Sequence, residues 1–204
     1  MTIVIADANQ SAWVRAAAEL ALASVVVVPS AQAFARHLNA DAFVDLDFTG
    51  AWYSAIDKPL LINETAKTLP QCGLPHQKLA RFCGWAGFCE RPLWEVATAN
   101  PLESSWLPAL LAGLGKEAVV VQDVPGLVGP RVVAMLANEA CHALADGVAT
   151  EADIDRAMRL GTNYPWGPLE WSKKIGPANL HRLLQTLAAD SDIYEPHALL
   201  KTLN

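Results

Sequence analysis

No glycine precedes Gly50, although the chain holds 12 of them. That absence excludes a glycine-lined turn after the first strand, where a backbone must approach a pyrophosphate with no side chain in the way. Positive charge is also scarce: 15 Lys and Arg stand against 21 Asp and Glu, for a net charge of −6. With no basic stripe interleaved with aromatics, a nucleic-acid partner is excluded, because such a partner needs a cationic footprint. Asp7, Arg15 and Glu19 interrupt the N-terminal stretch. Neither a signal peptide nor a membrane span is expected there, and a cytoplasmic location with no membrane partner is the expectation. The four cysteines, Cys72, Cys83, Cys89 and Cys141, contain no Cys-x-x-Cys pair. A zinc set of Cys72, His76, Cys83 and Cys89 can be drawn, but it follows no common ligand spacing, so reduced thiols and no metal are expected.

What is present is apolar: 52% of residues are hydrophobic, only 18% are charged, and the mean hydropathy is +0.21. Such a chain buries a substantial core and leaves apolar surface over, which points to self-association. Short β-branched runs alternate with helical patterns in the first half. Strands are predicted at Thr2–Ile5, Val25–Val28, Ala42–Phe48, Pro59–Ile62, Leu79–Trp85, Leu93–Ala97 and Ala118–Val121. Helices are predicted from Ser11 to about Ala23, over Ala31–Leu38 and over Leu102–Leu114. The alternation implies a mostly parallel, doubly wound sheet. From Pro130 onward the spacing is helical throughout. It breaks at Asp146-Gly147, has a cap at Thr150 with Asp153 three residues on, a stop at Gly161 and a fresh start at Gly167-Pro168. The fold class is therefore α/β plus all-α, with a first domain over 1–122 and a helical one over 123–204.

Asp123-Val-Pro-Gly-Leu-Val-Gly-Pro-Arg131 is followed in order by Asn138-Glu139-Ala140, Asp146-Gly-Val-Ala149, Asp153-Ile-Asp-Arg-Ala-Met158, Gly161-Thr-Asn-Tyr-Pro-Trp-Gly-Pro168 and Tyr194-Glu-Pro196. This series resembles the C-terminal domain of the 3-hydroxyacyl-CoA dehydrogenase family. Ala40-Asp-Ala-Phe-Val44 and Leu61-Ile-Asn-Glu-Thr65 are similar, more loosely, to segments of that family's nucleotide-binding half. The resemblance implies a shortened Rossmann-like sheet, a dimer formed through the C-terminal helices, and a site for an acyl-CoA-like small molecule.

The chain departs from the family where the chemistry lies. Ala6-Asp-Ala-Asn-Gln-Ser11 stands in place of the glycine fingerprint. Asp7 or Asn9 there reads as a cap of an ordinary strand-to-helix turn, and no cofactor is expected. The family's histidine, held by a glutamate for general acid–base work, falls on Cys83 or, with a short deletion, on Ala86. The glutamate has a counterpart in Glu95, which is equally readable as a structural carboxylate paired with Arg81 or Arg91. The asparagine falls on Pro130, which offers no donor, and a substrate-contacting serine on Thr65. Glu95 is thus the one candidate of catalytic type, with Thr65, Cys83 and Pro130 as positional candidates for substrate contact. Trp166 reads as packing, Asp155 with Arg159 as a solvated i, i+4 ion pair, and Lys173 and Lys174 as an exposed face. Two functions follow: a scaffold of this family without ordinary NAD-dependent activity, or an active oxidoreductase on a 3-hydroxyacyl-CoA or small hydroxy acid using NAD.

Overall fold

The structure is a computed structural model, and it describes residues 1–9, 11–19, 23–50, 56–100 and 104–203. The chain divides into two compact units, one of Met1–Gly84 with Phe88–Leu127, the other of Trp85–Gly87 with Val128–Asn204. Among the described residues, the first unit carries strands β1 (Thr2–Ala6), β2 (Ser24–Val28), β3 (Ala42–Asp45), β4 (Leu60–Asn63), β5 (Leu79–Phe82), β6 (Leu93–Thr98) and β7 (Glu117–Val120). They form one sheet in the order β2-β1-β3-β4-β5-β6-β7. Pairing is parallel except between β5 and β6. Helices α1 (Ala12–Glu19), α2 (Leu69–Cys72) and α3 (Trp106–Gly113) connect the strands.

Alternation along each strand creates two cores, because successive side chains point to opposite faces. Ile3, Ile5, Val44, Leu61, Phe82, Trp94 and Val96 face α1 and α3, where Trp13, Val14, Leu107 and Leu111 meet them. Val4, Phe43, Leu60 and Ile62 face the other way, onto Phe34, Ile56 and Leu69. Phe82 and Trp94 stack at 4.5 Å, and Trp13 meets Trp94 edge-on at 5.1 Å. Several predicted elements are shorter than the sequence suggests. β3 ends at Asp45 and β5 at Phe82, and Ala31–Arg36 is a 3-10 helix. The predicted reach of the first helix past Glu19, and Leu102 at the start of the third, lie outside the described residues.

One polar cluster is buried in the first unit. Arg81, wholly enclosed on β5, places Nε 2.5 Å from Asp123 Oδ1. It also donates to the carbonyls of Glu64 (3.1 Å) and Val124 (2.6 Å). Asp123 Oδ2 accepts the Leu69 N–H at 2.8 Å. The guanidinium therefore exchanges water for a carboxylate and two carbonyls, as a buried charge requires. This is also where Arg81 goes: it serves Asp123, not Glu95.

The second unit holds α4 (Gly129–Ala145), α5 (Glu151–Thr162), α6 (Pro168–Ile175), α7 (Pro177–Ala188) and two closing 3-10 turns, Asp192–Tyr194 and Ala198–Lys201. Thr150 caps α5 and accepts from the Asp153 N–H. The helix runs through Gly161 and ends on Asn163, in the left-handed region at φ 56°. Asparagine tolerates that conformation, so Gly161 is not the stop. Asp155 is buried, and its carboxylate takes the N–H groups of Leu169 (2.8 Å) and Glu170 (2.9 Å) at the start of α6. It is a cap for the next helix, not half of a solvated pair, and Arg159 lies nearest Glu170 at 3.6 Å. A Cβ on Gly167 would sit 2.3 Å from Asp155, so only glycine lets α5 and α6 close on this contact. Trp171 Nε1 donates to the Ala86 carbonyl at 2.8 Å, with Trp166 and Tyr164 edge-on beside it. Asn138 holds the final arm by donating to Glu195 O (2.9 Å) and accepting from His197 N (2.7 Å). No helix among the described residues is long and apolar enough to cross a membrane.

Two consequences are measurable. Asp123→Ala strips the enclosed Arg81 of its counterion and should cost about 3–5 kcal/mol, read as a Tm fall of roughly 10 °C. His76 is buried, and burial lowers its pKa from 6.5. The unfolded chain therefore takes up this proton more readily than the folded one. The resulting stability is complete above pH 6.5 and is lost as pH falls below it toward the folded value. Thermal melts from about pH 5 to about pH 8 should show a shallower pH slope for His76→Gln than for the parent.

Candidate functional site

The order β2-β1-β3 reverses direction at β1, which places the crevice of a doubly wound sheet beyond the C-terminal ends of β1 and β3. Acidic side chains follow these strands. Asp7 comes directly after β1, Asp45 ends β3 with Asp47 two residues on, and Glu64 follows β4. Each turns back onto the main chain. The Asp7 carboxylate, 2% exposed, accepts the N–H of Ser11 at 2.6 Å and of Asn9 at 3.1 Å, and the Ser11 hydroxyl at 3.2 Å. Asp47 accepts the Ala8 N–H at 2.6 Å, while its own N–H donates to Asp45 Oδ1 at 3.0 Å. Glu64 accepts from Ala66 and Lys67 at 2.7 and 3.1 Å.

A second layer fixes this edge. Leu46 N–H donates to the Ala6 carbonyl at 3.0 Å, and Leu46 O accepts from Asn63 Nδ2 at 2.9 Å. Asn63 Oδ1 in turn accepts the Gly84 N–H at 2.7 Å. A Cβ at Gly84 would stand 2.6 Å from Asn63 Cγ, so the loop after β5 can lie this close only with glycine there. Beside α1, a cavity of about 280 Å³ is lined by Asp7, Ser11, Val14, Arg15, Val28 and Pro29, among others.

A dinucleotide does not fit this turn as it stands. The amides that a diphosphate would use, those ahead of α1, hold carboxylates at hydrogen-bonding distance. Bringing in a further anion would set it against Asp7 and Asp47, and like charges 4 Å apart repel by about 4 kcal/mol at an effective dielectric of 20. Asp7 thus ties up the turn ahead of α1 through Asn9 and Ser11, rather than capping an amide of the helix itself.

The positional candidates fall as follows. Glu95 lies on β6, half-buried and in register with Val119. The antiparallel ladder pairs Phe82 with Val96, and one further step sets Cys83, buried just past β5, opposite Glu95. A thiol and a carboxylate thus occupy the two positions where the family resemblance calls for imidazole and carboxylate. Thr65 is buried, with its hydroxyl lacking a hydrogen-bond partner, and its carbonyl takes the Gly126 N–H at 2.7 Å. Pro130 belongs to the second unit, buried in the first turn of α4, where its missing N–H costs nothing. Ala86 also belongs to that unit, and its carbonyl is the one bound by Trp171.

His76 lies before β5 begins, its Nδ1 accepting the Lys78 N–H at 3.1 Å, whereas Cys83 follows the strand's far end. Four extended residues span roughly 13 Å, so this imidazole does not reach Cys83. Among the described residues, no group of three His, Cys, Asp or Glu side chains could hold a metal ion. Burial, aided by Glu64, raises the Cys72 thiol to about 11. Burial, aided by Glu90, raises Cys89 to about 12. Both are protonated near neutrality and poor as ligands or nucleophiles. Lys173 pairs with Glu151 at 2.8 Å, and Lys174 lies 3.7 Å from Glu170 and over the Trp166 ring.

The sequence reading did not anticipate Asp45, Asp47, Glu64 or the Arg81–Asp123 pair. An acidic residue at or directly after three successive strands was the available signal.

Residues 126–204 match the family described as 3-hydroxyacyl-CoA dehydrogenase, C-terminal domain. The chain is 47% identical over 110 residues to the 3-hydroxyadipyl-CoA dehydrogenase of Escherichia coli, covering 52% of this chain and 23% of that protein. It is 40% identical over 96 residues to a probable 3-hydroxybutyryl-CoA dehydrogenase of Bacillus subtilis, covering 46% and 33% respectively. In both cases the chain spans well under two thirds of the relative. The crystal structure of the (S)-3-hydroxybutyryl-CoA dehydrogenase from Ralstonia eutropha superposes with a TM-score of 0.76 at 19% identity, over 98% of this chain and 92% of that one. A 3-hydroxybutyryl-CoA dehydrogenase structure from Escherichia coli gives 0.73 at 17% identity, over 100% of this chain and 56% of that one. These two likenesses establish the fold, a Rossmann-like sheet followed by a helical domain. With the ordered motifs from Asp123 to Pro196 beside the family match, residues 126–204 belong to the family of 3-hydroxyacyl-CoA dehydrogenase C-terminal domains.

Proposed function

We propose that this chain is a member of the family without ordinary NAD-dependent activity, using the family scaffold as a homodimer to bind an acyl-CoA-like small molecule. One observation carries the reading: the amides of Ala8, Asn9 and Ser11 are spent on Asp7 and Asp47. Fold alone does not fix chemistry, so the residues must decide it. With Cys83 opposite Glu95 and Pro130 at the asparagine position, the proton transfer and the carbonyl contact that hydroxyl oxidation needs both lack their groups.

The relatives' names favour the second reading, an active oxidoreductase on a 3-hydroxyacyl-CoA or small hydroxy acid using NAD. NADH fluorescence titration and a 3-hydroxybutyryl-CoA oxidation assay separate the two. We expect neither binding nor turnover, together with a Tm rise in acyl-CoA through mass action. Sustained NAD reduction would overturn the reading.

Support for the dimer comes from the start of α4, where Val128 at the N-cap and Val132 are 57% and 48% exposed. Light scattering should return twice the chain mass of 21.9 kDa, and a monomer mass would remove the dimer from the proposal.

A further inference from the structure

Resting on the reading that the turn before α1 does not seat a dinucleotide, we propose that Asp7 and Asp47 are its specificity-determining residues. They are built-in carboxylates that stand in for a diphosphate and close this crevice to anionic ligands. Together they supply two negative charges, the number carried by the diphosphate that bridges two nucleosides. They come from adjacent strands: Asp7 follows β1 and Asp47 follows β3, on either side of the point where strand order reverses. Between them they take three amides of the turn, Ala8 by Asp47 and Asn9 and Ser11 by Asp7.

Asp47 is aimed rather than merely near. Its N–H is tied to Asp45, and Leu46 is bonded to Ala6 on one side and Asn63 on the other. Bulk is not what closes the site. The cavity of about 280 Å³ opens beside Asp7, and Ser11 and Arg15 line it. A hydroxyl and a guanidinium suit an anion once the carboxylate charge is gone. The occupant excluded is thus a phosphate-bearing ligand, and charge with donor occupancy excludes it.

Asparagine at each position removes the charge and keeps an acceptor oxygen for the amides. Inorganic pyrophosphate and ADP, titrated calorimetrically against the parent, Asp47→Asn and the Asp7→Asn/Asp47→Asn double variant, test the proposal. Far-UV circular dichroism verifies folding. The parent should bind neither probe at millimolar concentration, and the double variant should bind both at least roughly tenfold more tightly. A folded double variant as blind to both probes as the parent overturns this proposal and leaves the proposed function standing. A parent that binds ADP in competition with NADH overturns both. Should the double variant fail to fold, Asp47→Asn, which leaves the Asp7 bonds in place, decides the matter: a gain of about threefold for pyrophosphate supports the proposal, and no gain overturns it.

Discussion

The first unit depends on how the amides beyond the C-terminal ends of its parallel strands are satisfied. Those N–H groups lie outside the ladder, and a buried one without a partner is costly. Asp7, Asp45, Asp47 and Glu64 meet them with carboxylates from the same chain. Charge-assisted bonds at a helix start are among the stronger ones a protein can make, since the helix dipole adds to them. Strand ends and the loops that follow them are thereby joined, and the Arg81–Asp123 pair continues the same bonding into the segment that leaves the sheet.

The second unit solves a related problem with different residues. The start of α6 would leave its first amides unpaired, and Asp155 reaches across from α5 to take two of them. Asn138 ties the final arm to α4 through a carbonyl and an amide, and His142 meets His197 edge-on at 4.5 Å. These contacts explain why motif residues far apart in sequence occur together. Gly167 serves Asp155, and Asn138 serves the Tyr194-Glu-Pro196 segment. These pairings all fall within the matched residues 126–204.

Much of the architecture is legible from patterning. The continuous apolar runs Thr2–Ala6 and Ala42–Val44, and helical spacing after Pro130, reveal the layers because burial enforces them. Boundaries are less legible. Asn163 ends α5 two residues past the glycine that seemed to stop it, since the left-handed cap is chosen by geometry that spacing does not encode. The polar network was harder still. Arg81 beside Glu95 in a strand-pair picture is a natural pairing, yet Asp123, far along the chain, is the residue that reaches the guanidinium. Asp155 with Arg159 failed for the same reason: i, i+4 spacing reports a possible surface contact and is blind to a neighbouring helix that needs a cap. Glu95, Cys83, Thr65 and Pro130 come from resemblance, and the structure shows where they stand rather than what they do.

The contacts around the crevice are physically linked rather than independent. A glycine turn built for a phosphate leaves several amides unpaired when the ligand is absent, and the flexible backbone adds an entropic cost to folding. On the proposed reading, in which neither imidazole nor asparagine serves the crevice, a turn that waits for a cofactor is a liability with no function to offset it. Placing Asp7 in the turn, with Asp47 beside it, converts those amides into stabilising contacts. The conversion is also hard to reverse, because the carboxylates that now stabilise the strand-to-helix turn are the groups that repel a diphosphate. Stability and cofactor binding compete here for the same three N–H groups, and the protein has settled that competition with its own side chains.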